Sequence, residues 1–401
     1  MKVVFVQSAN RPGDLIAGWC TEIGKNLKQT GGECLMTIKY RRGECPSGWN
    51  MVGSSWSCAL HHQVFEYTGL QDMFSCIDTL KFLRYLKEIK PDIIHCHVVN
   101  DMFLNLRLFC NYVNKHNIKV VWTFHDARVL TGQCPYPDYS ECDEWKTQCH
   151  RCPSENRFLA PSKKYMNLVS CVQSYRKGTI GKIKDLTIVT PSQWLSSLVS
   201  RSYLSSRRCV VINNGINLDA FHRIESEVRF KYGIGSNNKI LLAIGNPLWR
   251  LKGQEYLHRL IEELPETYSF VMIGCLPEDV VAYEKHRNVV ALSKVDRNEL
   301  AAFYSAADLF VNPTLSDNFP TVNLEAQACG CPVVAFDSGG TKETVAPRGC
   351  VVPRRDYVAL KKAIVDFDYI GAREDAIAFA AQYSQERCIQ SYISLYHSIL
   401  S

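Results

Sequence analysis

The chain has 401 residues, of which 46% are hydrophobic and 21% charged, with a net charge of +6 at pH 7. That length suits two or three domains of ~150 residues each, and the hydrophobic content is sufficient for packed cores. No stretch approaches the ~18 consecutive apolar residues that a membrane-spanning helix needs. These properties predict an ordinary soluble globular protein and argue against a membrane-spanning one.

The first residues, MKVVFVQSANRPG, hold a short apolar run that soon gives way to polar and turn-forming residues. This pattern predicts a first strand rather than the apolar segment of a secretory signal. We therefore expect a cytoplasmic location. In that compartment the 18 cysteines of the chain should be reduced thiols rather than a disulfide framework.

Short β-branched runs alternate with amphipathic stretches, which is typical of βαβ units and parallel sheets. The predicted strands of the first half are KVVFVQ, DIIHCHVV, KVVWTFH, LTIVTPS and CVVINNG. Apolar residues at helical spacing predict helices around Leu15 to Leu27 and Ile77 to Leu86. The pattern restarts after Gly215, with the predicted strands KILLAIG, YSFVMIG, NVVALS, DLFVNPT, CPVVAF and GCVVP.

Two doubly wound parallel sheets follow from this pattern, one in residues 1–215 and one in residues 216–383. Residues 384–401 have apolar positions at helical intervals, which predicts a helix that closes the first domain. Ligands of open α/β sheets bind outside the carboxyl ends of the strands. We therefore expect the chemistry in the loops that follow the strands, in a cleft between the two sheets.

The segment after DLFVNPT contains two acids, Asp317 and Glu325, within SDNFPTVNLEAQACGCPVVAFDSGG. If a helix begins near Thr321, the first acid lies in the loop at its N-terminus and the second lies one turn inside. A carboxylate accepts hydrogen bonds from a vicinal diol, and a helix N-terminus offers N–H groups and partial positive charge. Spacing alone favours a helix cap and a surface glutamate, so the surrounding motif decides.

The motif DNFPTVNLEAxACGxPV, present from Asp317 to Val333, resembles glycosyltransferase family 4, and most closely its bacterial members that build capsules and exopolysaccharides. The resemblance extends to PDIIHCHVVND, VVWTFHDARVLTGQC, VTPSQWLSSLVSRS, VINNGI and LWRLKG. It implies the GT-B fold, an α/β fold with two Rossmann-like domains and a cleft between them. It also implies retaining transfer of a hexose-type sugar from a UDP- or GDP-sugar, with no catalytic metal.

The resemblance further implies roles for individual residues. Asp317 would contact the donor sugar, Glu325 the ribose and Lys252 the phosphates, while His125 would face the donor sugar from the N-terminal domain. We expect Asp317, Lys252 and His125 to act in catalysis. The other donor-side residues are Gly13, Arg250, Asn318, Phe319 and Thr321, and the acceptor-side residues are Asp14 and Asp126.

Three histidines lie at or near the ends of predicted strands. A lone histidine is more often structural, but the position of His125 at the carboxyl end of its strand favours a role in the site. His95 and His97 alternate along DIIHCH and therefore share one face of a strand. For these two, a structural role is favoured over contact with the acceptor.

A cluster of cysteines follows the strand that ends near His125. Cys134, Cys142, Cys149 and Cys152 are spaced Cx7Cx6CxxC. Four thiolates at such spacing suit a structural tetrahedral zinc site, in which no position stays open for catalysis. The alternative is a set of reduced cysteines in a packed loop. The sequence leaves both interpretations open.

The segment from Lys163 to Arg208 holds nine Lys or Arg residues and one acid, Asp185. Such a segment is either a solvated surface or a face that contacts an anionic membrane or a phosphate-bearing substrate. The expected acceptor is a lipid-linked oligosaccharide at the inner face of the cytoplasmic membrane. Two other functions stay open: an epimerase or phosphorylase on the same fold, and a zinc module that binds nucleic acid. Under the leading interpretation, we expect no nucleic-acid partner.

Overall fold

The computed structural model of the chain describes residues 1–8, 15–40, 45, 47–99, 103–150, 152, 168–245 and 251–401. These residues form an N-terminal unit, Met1–Ile212 together with Ile389–Ser401, and a C-terminal unit, Asn213–Cys388. Three residues predicted from the sequence to belong to the site, Gly13, Asp14 and Arg250, lie outside the described ranges.

The N-terminal unit is built on a parallel sheet. Its strands are β1 (Lys2–Gln7), β2 (Glu33–Lys39), β3 (Trp49–Val52), β4 (Ile93–Cys96), β5 (Lys119–Thr123), β6 (Leu186–Thr190) and β7 (Arg208–Val211). They are ordered β3-β2-β1-β4-β5-β6-β7. The helices of this unit are α1 (Leu15–Gln29), α2 (Ser55–Thr68), α3 (Cys76–Ile89), α4 (Leu106–Lys115), α5 (Val169–Thr179) and α6 (Gln193–Ser200).

The C-terminal unit repeats this architecture. Its strands are β8 (Lys239–Ile244), β9 (Tyr268–Ile273), β10 (Val289–Leu292), β11 (Leu309–Asn312), β12 (Val333–Asp337) and β13 (Cys350–Pro353), in the order β10-β9-β8-β11-β12-β13. Its helices are α7 (Val228–Lys231), α8 (Gln254–Glu263), α9 (Pro277–Tyr283), α10 (Arg297–Ala306), α11 (Thr321–Ala328), α12 (Tyr357–Val365) and α13 (Ala372–Ala380). The last helix, α14 (Gln385–Leu400), belongs to the N-terminal unit from Ile389 onward.

The predicted α/β fold with two doubly wound parallel sheets is confirmed. Every residue of the central strands β4 and β6 is buried, as expected where helices cover both faces of a parallel sheet. The sequence did not predict β2 and β3. β2 (ECLMTIK) has few β-branched residues and β3 (WNMV) is very short, so neither presents the run on which strand prediction depends.

The strand order indicates which loops should bind a ligand. The order reverses between β1 and β4 in one sheet and between β8 and β11 in the other. Ligands of open α/β sheets bind at the carboxyl ends of the strands that flank such a point. Lys252 and Asp317 lie in the loops after β8 and β11, and His97 and His125 follow β4 and β5.

The basic segment between Lys163 and Arg208 is less exposed than its sequence predicts. Arg176 is fully buried, and its guanidinium lies 2.8 Å from the Asp72 carboxylate. It also donates a hydrogen bond to the Thr131 carbonyl at 3.1 Å. A buried and paired guanidinium cannot attract an external anion, so the expectation of a basic face is wrong for Arg176. The exposed cations that the structure describes in this segment are Lys177, Lys182, Lys184, Arg201 and Arg208.

Within the described ranges, every helix is too short or too polar to cross a bilayer.

Candidate active site

Two loops of the C-terminal unit bring Lys252 and Asp317 together. Lys252 Nζ donates a hydrogen bond to Asp317 Oδ2 at 2.6 Å, and the two side chains are 18% and 21% exposed. The other carboxylate oxygen, Oδ1, accepts a hydrogen bond from the backbone N–H of Phe319 at 3.2 Å. A cation and a carboxylate, both reachable from solvent, therefore stand beyond the ends of the central strands.

Two glycines, one after β8 and one after β12, allow their loops to lie close to the loop after β11. Gly253 has a φ of +79°, and a Cβ at this position would lie 2.1 Å from the Pro313 carbonyl oxygen. Gly339 has a φ of +59°, and its Cβ would lie 2.0 Å from the Asp317 carbonyl oxygen. The left-handed conformation and the contact together exclude any larger residue. The backbone on both sides of the Lys252 to Asp317 pair is thus fixed by direct packing.

Helix α11 begins at Thr321, directly after the Asp317 loop. Inside the helix two buried amides connect it to its surroundings: Asn323 Oδ1 accepts from Asn312 Nδ2 at 2.7 Å, and Gln327 Oε1 accepts from the Ala346 N–H at 2.7 Å. This network was not predicted from the sequence. The available signal was two amide side chains four positions apart, a spacing that places both on one face of the helix.

Glu325 lies within α11 and is only 8% exposed. The Tyr304 hydroxyl donates to Glu325 Oε2 at 3.5 Å. Burial raises the pKa of Glu325 to about 7, while Arg297 and the Tyr304 hydrogen bond act in the opposite direction. The carboxyl group is therefore poised between its neutral and ionised forms near neutral pH, and either form can bond to hydroxyl groups.

The other predicted donor-side residues of this loop differ in exposure. Asn318 and Phe319 are 6% and 4% exposed, and the Phe319 ring packs against Tyr383 with centroids 5.8 Å apart. Thr321 is half-buried at the start of α11. Since the Phe319 N–H already bonds to Asp317 and its ring is buried, Phe319 stabilises the conformation of the loop. The loop thus offers Asp317 and the start of α11 as its accessible polar groups.

In the N-terminal unit, His125 is held by a second histidine. His125 Nε2 lies 3.0 Å from His97 Nδ1, and the Trp19 ring is near parallel to the His125 ring at 6.5 Å. Burial lowers the pKa of His125 to about 4; Asp126 opposes this shift and Arg128 adds to it. Burial also holds the pKa of His97 well below its usual range. Both rings are therefore neutral at pH 7, and one donates a hydrogen bond to the other.

His95 uses both of its ring nitrogens inside the core. Nδ1 lies 2.6 Å from the Tyr396 hydroxyl and Nε2 lies 2.8 Å from Thr123 Oγ1. This is the structural role that the sequence favours for His95. His97 differs, because its hydrogen bond sets the orientation of His125. The contact between His97 and His125 was not predicted from the sequence. The available signal was that the two residues follow the neighbouring strands β4 and β5.

Asp126 follows His125 and caps a short 3₁₀ helix, Ala127–Val129. Its Oδ1 accepts from the Arg128 N–H at 2.8 Å and its Oδ2 from Arg128 Nε at 2.7 Å. The carboxylate therefore stabilises the first turn of the loop. Contact of Asp126 with an acceptor stays a prediction.

The four clustered cysteines are free thiols in the N-terminal unit. They line one cavity together with parts of the loop that follows β5. As they stand, no group of three or more His, Cys, Asp or Glu side chains in the described part of the chain could hold a metal ion.

Solved structures of similar architecture identify the fold. Sucrose-phosphate synthase from Thermosynechococcus elongatus matches with a TM-score of 0.69 and 18% identity, over 100% of this chain and 99% of that one. Anabaena HepE, in complex with UDP and glucose, matches with a TM-score of 0.66 and 16% identity, over 99% and 100%. The protein has the GT-B fold.

Sequence relatives narrow the identification. Residues 238–367 match the family described as Glycosyl transferases group 1. The putative colanic acid biosynthesis glycosyl transferase WcaC of Escherichia coli (strain K12) is 25% identical over 342 residues, 82% of each chain. A D-inositol 3-phosphate glycosyltransferase of Thermobispora bispora is 30% identical over 212 residues, 46% of this chain and 49% of that relative. The matched segment is therefore similar to a glycosyl transferase group 1 domain, and the relatives support a glycosyltransferase. Neither the epimerase or phosphorylase nor the nucleic-acid module is favoured.

Proposed function

We propose that the protein is a retaining glycosyltransferase of family 4 that moves a hexose from a UDP- or GDP-sugar to a lipid-linked acceptor of surface polysaccharide synthesis. The observation that carries this proposal is the Lys252 to Asp317 contact of 2.6 Å at the reversal of strand order. A nucleotide sugar needs a cation for its phosphates and an acceptor of hydrogen bonds for its sugar hydroxyls, and this pair supplies both side by side.

Donor binding would rearrange that pair. The diphosphate would take Lys252 as a partner, and the carboxylate of Asp317 would turn to the hydroxyls of the sugar. Glu325 would accept hydrogen bonds from the ribose diol, and the start of α11 at Thr321 would add N–H donors. As the glycosyl bond breaks, negative charge grows on the departing diphosphate, and the fixed charge of Lys252, assisted by Arg250, would stabilise it.

The acceptor side would rely on the neutral His125. A neutral imidazole offers a directed hydrogen bond to the donor sugar and adds no positive charge. In retaining transfer the acceptor hydroxyl attacks from the face that the nucleotide leaves, and the departing phosphate takes its proton. This route needs no nucleophilic side chain, so the His97 to His125 pair would position the sugar rather than form a bond with it.

Two relatives support the substrate classes of this proposal. WcaC is named for colanic acid biosynthesis, which is consistent with a polysaccharide product. The HepE structure contains UDP and glucose, which is consistent with a UDP donor on this fold. The exposed cations from Lys177 to Arg208 would face an anionic membrane at the cytoplasmic side, where a lipid-linked acceptor is presented.

A panel of UDP-, GDP- and dTDP-sugars tests this function. We expect at least one donor to raise the melting temperature of the purified protein and to be consumed when a lipid-linked oligosaccharide is added. Analysis of the anomeric configuration of the product tests retention. If no nucleotide sugar binds, the proposal fails; if one binds and the product is inverted, the retaining mechanism fails.

A further inference from the structure

The loop that follows β5 carries four thiols that the proposed transfer reaction does not use. Cys134, Cys142, Cys149 and Cys152 all line one cavity of about 20 Å³. None of them forms a disulfide. The other side chains around this cavity include Trp145, which is 3% exposed. Four cysteines that are widely spaced in the sequence thus line one small cavity.

The thiols interact with one another across the cavity. Cys134 and Cys152 are joined by a hydrogen bond between their side chains, and Cys149 lies close enough to Cys142 and Cys152 to interact electrostatically with both. The neighbouring His150 is exposed and is not among the residues that line the cavity. The cavity therefore presents four sulfur ligands rather than three sulfurs and a nitrogen.

Backbone donors already point at two of these sulfur atoms. The Gly132 N–H donates to Cys149 Sγ at 3.4 Å, and the Tyr136 N–H donates to Cys134. Around a thiolate-bound metal, such donors orient the ligands and offset their negative charge. A loop that only needed small apolar residues at these positions would gain nothing from this arrangement.

We propose that this cavity is a structural zinc site whose ligands are Cys134, Cys142, Cys149 and Cys152. Zn²⁺ takes four thiolates in a tetrahedron at ~2.3 Å. Binding would replace four S–H bonds by four Zn–S bonds and release four protons, which leaves a complex of net charge −2. The four side chains do not yet form a ligand set, so binding would draw the sulfur atoms together around the ion.

The size and lining of the cavity select the occupant. A volume of about 20 Å³ suits one water molecule or one ion and is too small for an iron–sulfur cluster. A water molecule there would need two to four polar partners, and thiols are weak ones. Four soft ligands favour zinc over the hard cations magnesium and calcium.

The zinc would fix a loop that has little secondary structure of its own. Between Asp126 and Cys152 the described residues contain only two short 3₁₀ helices, Ala127–Val129 and Glu144–Lys146. This loop leaves the sheet directly after His125, so its order bears on the position of that ring. Since four protein ligands leave no open position, the metal would stabilise the loop and take no part in the transfer.

The test is the zinc content of the full-length protein, purified without chelator from zinc-containing medium. We expect about one zinc per chain, and a drop of at least about tenfold in Cys142→Ser and Cys149→Ser. Cys171→Ser is the matched control, because Cys171 is exposed and does not line the cavity, and it should keep the metal. Replacement of zinc by Co²⁺ in the wild-type chain should give the absorption bands of a tetrahedral thiolate complex.

The wild-type measurements decide even if the variants fail to fold. A wild-type chain that contains no zinc and gives no thiolate bands with Co²⁺ overturns the proposal. So does a chain in which alkylation and mass mapping find these cysteines paired as disulfides. The inference is independent of the proposed transfer, since a zinc-free protein could still bind nucleotide sugars and a zinc protein could bind none.

Discussion

The loops after β8 and β11 and the loop after β5 are held in place by opposite means. The first two are in direct backbone contact at Gly253, and the loop after β12 contacts the Asp317 backbone at Gly339. The third is held by hydrogen bonds from side chains of helix α5. Gln173 donates to the Leu130 and Trp145 carbonyls, and Arg176 donates to the Thr131 carbonyl. The loops on the donor side are therefore fixed by backbone contacts at the end of their sheet. The loop beside His125 depends instead on hydrogen bonds from side chains and, in our proposal, on a metal.

The largest expected effect tests the backbone contact. Gly339→Ala should lower the free energy of unfolding of the C-terminal unit by about 3 kcal/mol, because its Cβ would meet the Asp317 carbonyl oxygen in a left-handed conformation. Urea denaturation measures this. Gly178→Ala in α5 is the control, since its Cβ meets nothing within 4 Å and alanine favours a helix. A loss below about 1 kcal/mol for Gly339→Ala would contradict the packing argument.

The second effect concerns the pH dependence of stability and follows from Glu325. The pKa of Glu325 in the folded protein, about 7, lies above its unfolded value. The stability that the neutral, buried carboxyl group allows is therefore full below about pH 4.5 and is lost as pH rises through 7. Glu325→Gln removes this loss and should be more stable than wild type at pH 8 by on the order of 2 kcal/mol, with no gain at pH 4.5. Thermal unfolding at both pH values measures the gap. The exposed Glu299→Gln should show none, and an equal gap at both pH values would refute the burial argument.

The third effect separates the charge of Lys252 from its packing. Lys252→Met should weaken nucleotide-sugar binding about tenfold, since one charge-assisted hydrogen bond to phosphate is lost. Titration calorimetry measures the affinity. The exposed Lys285→Met is the control for a change in net charge and should bind as wild type does. Equal weakening in both variants would mean that the overall field of the protein attracts the donor.

The smallest expected effect lies on the other side of the comparison. His97→Phe keeps a ring against Phe5 but removes the hydrogen bond to His125 Nε2, so kcat should fall a few-fold to about tenfold while KM changes little. Steady-state kinetics with the donor found in the panel measures both constants. The exposed His116→Phe should leave both unchanged. A change confined to KM would show that His97 affects binding rather than the orientation of His125.

Sequence reasoning reached the donor side best because its signal is local. Asp317, Glu325 and the helix between them lie in one motif, and strand order brings Lys252 to it across 65 positions. Contacts between distant residues were missed. The Tyr396 hydroxyl is hydrogen-bonded to His95, which lies 301 positions away in the sequence. Arg176 donates a hydrogen bond to Asp72, which lies 104 positions away. Each of these pairs is set by packing, which neither spacing nor periodicity reveals.

The most direct test of the central claim compares Glu325→Ala with Asp317→Ala, using the nucleoside diphosphate and the full sugar donor that stabilise the wild-type protein. We predict that Glu325→Ala weakens binding of both ligands, because the ribose contact is shared. Asp317→Ala should bind the nucleoside diphosphate nearly as well as wild type but lose turnover. Unchanged binding of both ligands by Glu325→Ala would contradict the account.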